Sequence, residues 1–301
     1  MYHLECADPT ARQLFTEWLD ATHLAWPGRF SIVVETGETD PFGPDDRDAV
    51  VQPAVLVRSG PPHGTVRVEW QHAPATAEIH AERPEARIWM SPEAIREFDA
   101  SRRNFNLVVL IFLLKRLGWY HTHGASFVDP RGRGWLMIGN SHCGKSTTSA
   151  IVSRMGWPLT TDDIGFLAQR GDRAAVIGVR SALHLRPGGR EMMGVTGGRP
   201  LRKTNRMAYT PEELGGRWIP EVVPEILLFP TLGDRTAAVP ASRRRAMAQV
   251  VEWSRWVLYE PLGAQAHLDV LVQIARQSQC YDLTLGPDLF ERPQLLEELI
   301  P

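Results

Sequence analysis

"MIGNSHCGKSTTSAI", Met137 to Ile151, decides how the chain is read. An apolar run ends at Ile138, a glycine turn follows, and a stretch with helical character begins at Lys145. Gly139, Gly144, Lys145 and Ser146 fit the pattern G-x-x-x-x-G-K-[ST], with "WLMI" as the preceding strand and "KSTTSAIVSRMG" as the following helix. Glycines let backbone N–H groups turn inward onto phosphate oxygens, and the helix amino end adds partial positive charge. The loop Gly139, Asn140, Ser141, His142, Cys143 and Gly144 is therefore expected to wrap a nucleotide's phosphates, continued by Lys145, Ser146 and Thr147. Lys145 neutralises the β- and γ-phosphates, and the Ser146 hydroxyl ligates Mg²⁺.

Seventeen residues beyond Lys145 comes Asp162, followed by Asp163, after the strand-like "PLTT". An acid at the end of a strand neighbouring such a loop holds the metal, directly or through water. Two acids allow a division of labour, one managing Mg²⁺ and the other accepting a proton from an attacking hydroxyl. His121 and His123 precede the loop by one hairpin, and in an extended stretch they share a face.

The bulk composition sets outer limits. At 301 residues, 43% hydrophobic and 23% charged, the chain has material for a large core without staples. A net charge of −2 gives no general attraction to nucleic acid or anionic lipid. Cys6, Cys143 and Cys280 lie far apart, as free thiols of a reducing cytosol would. The longest apolar run, Leu107 to Leu114, is eight residues, short of a membrane span. A cytoplasmic protein is expected.

Along the chain, residues 1–103 read as a β-rich amino-terminal domain. "FSIVVET", "AVLVRSG", "TVRVEW", "TAEIHAE" and "ARIWM" are strand candidates of a small antiparallel sheet. "SPEAIREF" carries helix-start signals, and "NFNLVVLIFLLKRLGW" reads as a helix buried between two halves. Residues 104–301 read as an α/β catalytic domain. "GASFV" and "GWLMIG" flank the turn "DPRGRG", with further strands at "AAVIGVR", "EILLFP" and "YDLTLG". Helices are expected over 241–259, 268–277 and 287–299, and a long loop over 187–217, where Lys203 and Arg206 could meet phosphates. Arg102–Arg103 and Arg243–Arg245 read as solvated helix faces or acid partners, and Trp253 with Trp256 as one core-facing helix stripe.

The run "HGASFVDPRGRGWLMIGNSHCGKSTTSAIVSRMGWPLTTDD", His123 to Asp163, resembles the catalytic core of the HPr kinase/phosphorylase family. The tail "YDLTLGPDLFERPQLLEEL" is similar to the closing strand and helix of HPr-kinase-related proteins. The resemblance implies the P-loop fold shared with phosphoenolpyruvate carboxykinases, with His123 and Asp162 as the proton-handling pair. It also implies Asp163 near the metal, and Lys145 and Ser146 on the nucleotide. Asn140 and His142 stand where the family carries an acid and a glycine. Shorter relatives resemble peptide-tailoring kinases, including those acting on lasso-peptide precursors. The expected function is thus Mg²⁺-dependent transfer of the γ-phosphoryl of ATP, with GTP as the other candidate, to a serine of a peptide or protein. No nucleic-acid or membrane partner is expected, and a homo-oligomer stays open. A small-molecule kinase acting on free serine or a sugar, and a nucleotide-binding switch, are the rival readings.

Overall fold

The glycine-punctuated runs of the sequence become strands in the computed structural model. It describes residues 1–52, 54–60, 65–97, 100–201 and 204–300, and of residues 100–103 the backbone alone. The protein is mixed α/β with three sheets and divides into two compact units. One comprises Met1–Tyr120 with Arg255–His267, the other His121–Ser254 with Leu268–Pro301. The boundary expected after residue 103 therefore falls inside a helix that belongs whole to the first unit.

The first unit runs β1 (Tyr2–Cys6), α1 (Pro9–Asp20), β2 (Phe30–Thr36), β3 (Ala49–Gln52), β4 (Val55–Arg58), β5 (Thr65–Trp70), β6 (Ala75–His80), β7 (Glu85–Met90), α2 (Pro92–Arg96) and α3 (Ala100–Lys115). Its sheet has the order β1-β2-β7-β6-β5-β4-β3. The expected antiparallel hairpins account for β3 to β7, but β1, β2 and β7 pair in parallel. That parallel edge depends on α1, which the sequence reading passed over. Its signals are local: Asp8 accepts from Ala11 N at 2.8 Å, and Pro9 takes the first helical turn. Helix α3 buries Phe105, Val109, Phe112, Leu113 and Leu114, an apolar surface that packs against β5, β6 and β7. At its carboxyl end, Lys115 and the following Arg116 both pair with Glu260, which ties 255–267 to this unit. Under the sheet, the Arg47 guanidinium holds the Asp45 carboxyl down at about 2.

The second unit is built from β8 (Trp119–Val128), β9 (Gly134–Ile138), α4 (Lys145–Arg154), β10 (Pro158–Thr161), β11 (Ile164–Arg170), β12 (Arg173–Gly178), β13 (Leu183–Leu185), α5 (Pro187–Met193), β14 (Arg199–Pro200), β15 (Met207–Tyr209), β16 (Arg217–Trp218), β17 (Glu221–Val222), β18 (Pro224–Leu232), β19 (Ala237–Pro240), α6 (Arg243–Glu252), α7 (Ala264–Gln277), β20 (Gln279–Leu285), α8 (Asp288–Glu291) and α9 (Leu295–Leu299), with β8 belonging to it from His121 onward and α7 from Leu268 onward. The main sheet has the order β17-β12-β11-β8-β9-β18-β20-β19, with β10 against β8 and β16 against β10. Its centre, β9, β18 and β20, is parallel, so three strand carboxyl ends gather on one side. In such sheets ligands bind beyond those ends.

Three expectations change. The long loop of 187–217 instead contains α5 and the strands β14 and β15, which join β13 in a three-stranded sheet. Strands of two or three residues are too short to show a period. Leu183, Leu185, Met193 and Tyr209 nonetheless drive them onto the core. The helix expected over 241–259 stops at Glu252, so Trp253 and Trp256 fall in different units. The one expected over 287–299 breaks into α8 and α9 around Pro293, which has no N–H to continue it. Lys203 lies outside the described residues, as do the side chains of Arg102 and Arg103. Among the described residues no helix is long and apolar enough to cross a membrane.

Phe127, Trp135 and Trp157 form the aromatic centre of the second unit, with ring centroids 5.5–5.9 Å apart. The Trp135 indole donates to Asp129 Oδ2 at 3.1 Å, fastening the "DPRGRG" turn to the core. Trp135→Ala is expected to cost ~3–5 kcal/mol of stability in denaturant titration, from cavity formation and the lost donor.

Candidate functional site

The site starts where β9 ends. Gly139 is closed in by neighbours, a Cβ there falling 3.2 Å from Cys143 Sγ and 3.3 Å from Pro230 Cδ. Gly144 is the N-cap of α4 at φ +100, and a Cβ would come within 2.6 Å of Leu285 Cδ1. No side chain caps α4. Its first N–H groups are left to an outside acceptor, which suits an anion at a helix amino end. Asn140, Ser141 and His142 are exposed, Cys143 is buried, and Ser146 and Thr147 are half-buried. Lys145 is only 6% exposed. Its Nζ donates to the carbonyls of Gly139 at 2.8 Å and Asn140 at 2.9 Å, so the ammonium sits within the loop.

Asp162 and Asp163 occupy the bend between β10 and β11. Thr161 Oγ1 donates to Ile164 O across it, and Gly124 N donates to Asp163 O at 3.0 Å, anchoring the bend to β8. The two carboxyls point to different surroundings. Asp162 is 2% exposed, and burial raises its proton affinity from the ordinary 3.8 to about 6. The nearby Ser149 and Ser146 hydroxyls act the other way, favouring the carboxylate; Asp163 adds to the rise and Lys145 opposes it. Among the described residues Asp162 Oδ1 has no hydrogen-bond partner. The Asp163 side chain is 54% exposed, and its Oδ1 lies 3.1 Å from His123 Nδ1.

The structure thus distributes the acids differently from what the resemblance implied. His123 meets Asp163, and Asp162 turns back toward Ser146, Ser149 and Lys145. Strand β8 is extended through His121 and His123 as expected, but His121 is buried against Phe166, while His123 meets Asp163. Its position is held by a bond from its own N–H to Trp253 O at 3.1 Å. Ser149 was not among the sequence candidates. The signal was its spacing, three residues after Ser146 and so on the same helix face.

Among the described residues no three His, Cys, Asp or Glu side chains gather into a metal cluster. A divalent cation carried on a triphosphate needs fewer protein ligands, because phosphates and waters fill its octahedron. The orphaned oxygen of Asp162, with the Ser146 hydroxyl beside it, fits such an ion.

No family model and no curated protein matches the chain. Among solved structures it has a likeness to the HPr(Ser) kinase/phosphatase from Coxiella burnetii. Identity is 11% and the TM-score 0.32, over 60% of this chain and 93% of that one. A likeness of that size leaves fold and site to rest on the geometry above.

Two outcomes are expected. Gly144→Ala forces a side chain into left-handed backbone and against Leu285, at a cost of ~2 kcal/mol or more. In the metal-free protein, the folded state holds the Asp162 proton where the unfolded chain has lost it. This group's contribution to stability therefore falls as pH rises from about 4 to about 6, then levels off, by at most ~3 kcal/mol. Asp162→Asn should flatten that part of the profile and raise stability at pH 7, as read by denaturant titration at each pH.

Proposed function

We propose that the protein is a kinase that moves the γ-phosphoryl group of ATP to a hydroxyl, with serine of a peptide or protein as the acceptor. The observation that supports this best is the composition of one neighbourhood. A buried lysine inside an uncapped glycine loop, an orphaned carboxyl oxygen and an imidazole–carboxylate pair all belong to β8, β9, α4 and the β10–β11 bend.

Loop amides and the α4 amino end would take the inner phosphates, and Lys145 would leave the loop carbonyls for the phosphate chain. Ser146 and Asp162 would hold Mg²⁺, which supplies charge neutralisation of the β- and γ-phosphates; its own charge would lower the raised proton affinity of Asp162. Asp163, exposed and oriented by His123, would accept the hydroxyl proton as the acceptor oxygen attacks. A switch that only positions water would have no need of an imidazole–carboxylate pair at the surface. The ATP-rich cytoplasm suits this chemistry. For the first unit we assign acceptor recognition; it holds a cavity of about 470 Å³ lined by Asp45, Arg58, Arg67, Trp70 and Trp89.

The test is phosphate transfer from labelled ATP and Mg²⁺ to candidate serine peptides, with the product's mass and attachment site mapped. Asp163→Asn should lower transfer by about a hundredfold or more while retaining Mg²⁺-dependent nucleotide binding. Asp162→Asn should weaken that Mg²⁺ dependence itself. A wild-type protein that binds no magnesium nucleotide by calorimetry would overturn the reading.

A further inference from the structure

Lys145 is not the only cation at the loop. Arg186, the residue before α5, is exposed, and its Nη2 lies 3.0 Å from Nδ1 and 3.2 Å from Nε2 of His142. A donor aimed at one ring lone pair in the imidazole plane would be far from the other nitrogen. Near-equal distances put Nη2 over the ring face, with an N–H directed at it. Such a contact uses one guanidinium N–H and leaves the others, those of Nε and Nη1 among them, to bind something else. Among the described residues the Arg186 side chain makes no other hydrogen bond.

The backbone under this contact is anchored on the Arg186 side. His142 sits at φ +73, an uncommon conformation for a side-chain-bearing residue, within an exposed part of the loop. Arg186 follows β13, whose Leu183 and Leu185 share a core with Ala150 and Ile151 of α4. Gly189 faces Thr147, and the Arg154 side chain of α4 donates to Met193 O. The β13–α5 turn is thus fastened along the same helix that the loop opens. Charge points the same way: residues 180–217 contain eight Lys or Arg against three Glu, in a chain whose net charge is −2.

We propose that Arg186 is a second phosphate-binding cation, donating to the non-bridging oxygens of the terminal phosphate of a bound nucleoside triphosphate. This rests on the nucleotide reading of the loop. Loop amides and the helix amino end enclose the inner phosphates, while the terminal one projects past them, where a donor from outside the loop can join Lys145. During transfer the acceptor oxygen forms its bond to the γ-phosphorus as the bond to the β–γ bridging oxygen breaks. The electron pair stays on the β-phosphate, and the hydroxyl proton goes to the Asp163–His123 pair. Arg186 donates hydrogen bonds throughout and gives up no proton, since guanidinium stays charged. His142 is a positioning residue that keeps the fork at the loop before the nucleotide arrives.

Because the acceptor is not needed, binding alone tests this. Calorimetry would compare the magnesium complexes of ADP and of a non-hydrolysable ATP analogue on wild type, Arg186→Ala, Arg186→Lys and Arg199→Ala, the last an exposed cation of the same small sheet. Arg186→Ala should weaken the triphosphate analogue by roughly ten- to a hundredfold and ADP by less than about threefold. Arg186→Lys should fall between, keeping charge without the fork, and Arg199→Ala should match wild type. Equal losses for both nucleotides, or no loss for either, would overturn the role of Arg186 and leave the kinase reading standing. A wild type that binds neither nucleotide would overturn both.

Discussion

One left-handed residue sets the geometry on which the site depends. Gly144 turns the chain from β9 into α4 at φ +100 with Leu285 of β20 close behind it. A Cβ there would lie 2.6 Å from Leu285 Cδ1, so that side chain would have to shift. The turn aims the open amino end of α4 past the carboxyl ends of β9, β18 and β20, and it brings the Lys145 side chain back under the loop carbonyls. Parallel strands make this possible. Their carboxyl ends lie together, and the helix dipole starts where they finish.

The second constraint is the bend that separates two adjacent aspartates. Successive residues at a turn leave in different directions, so one carboxyl is buried behind the loop and the other stands at the surface. Burial is the main source of their different chemistry. Asp162 holds its proton to higher pH than an ordinary carboxyl, and Asp163, beside an imidazole, stays accessible. The stability lost by keeping Asp162 buried is the kind of local cost found at functional positions. The β8 strand, through Gly124 and His123, fixes the bend from the other side.

The small sheet of β13, β14 and β15 gives the loop a neighbour that it does not itself encode. Its hydrophobic residues join the core along α4, and the exposed cations Arg186 and Arg199 lie in the same segment. Packing and charge are thereby linked: the segment held in place by Leu183, Leu185 and Tyr209 also carries Arg186 to His142.

The sequence by itself determined the local parts. The glycine–lysine–serine spacing, the strand before it, the helix after it and the acid pair are set by short-range backbone and side-chain preferences, and they are found where those preferences put them. So were β2, β5, β6 and β7, whose alternation is long enough to count. Tertiary structure decided what alternation cannot express. Strands of two or three residues in 199–209 have no readable period, and α1 was hidden in a region read as β-rich. Which aspartate meets His123 depends on the direction of a bend pinned by β8. The approach of Arg186 to the loop spans 44 residues of chain. Contacts of that kind arise only when separate apolar faces close on a common core, and no local pattern records which faces will meet.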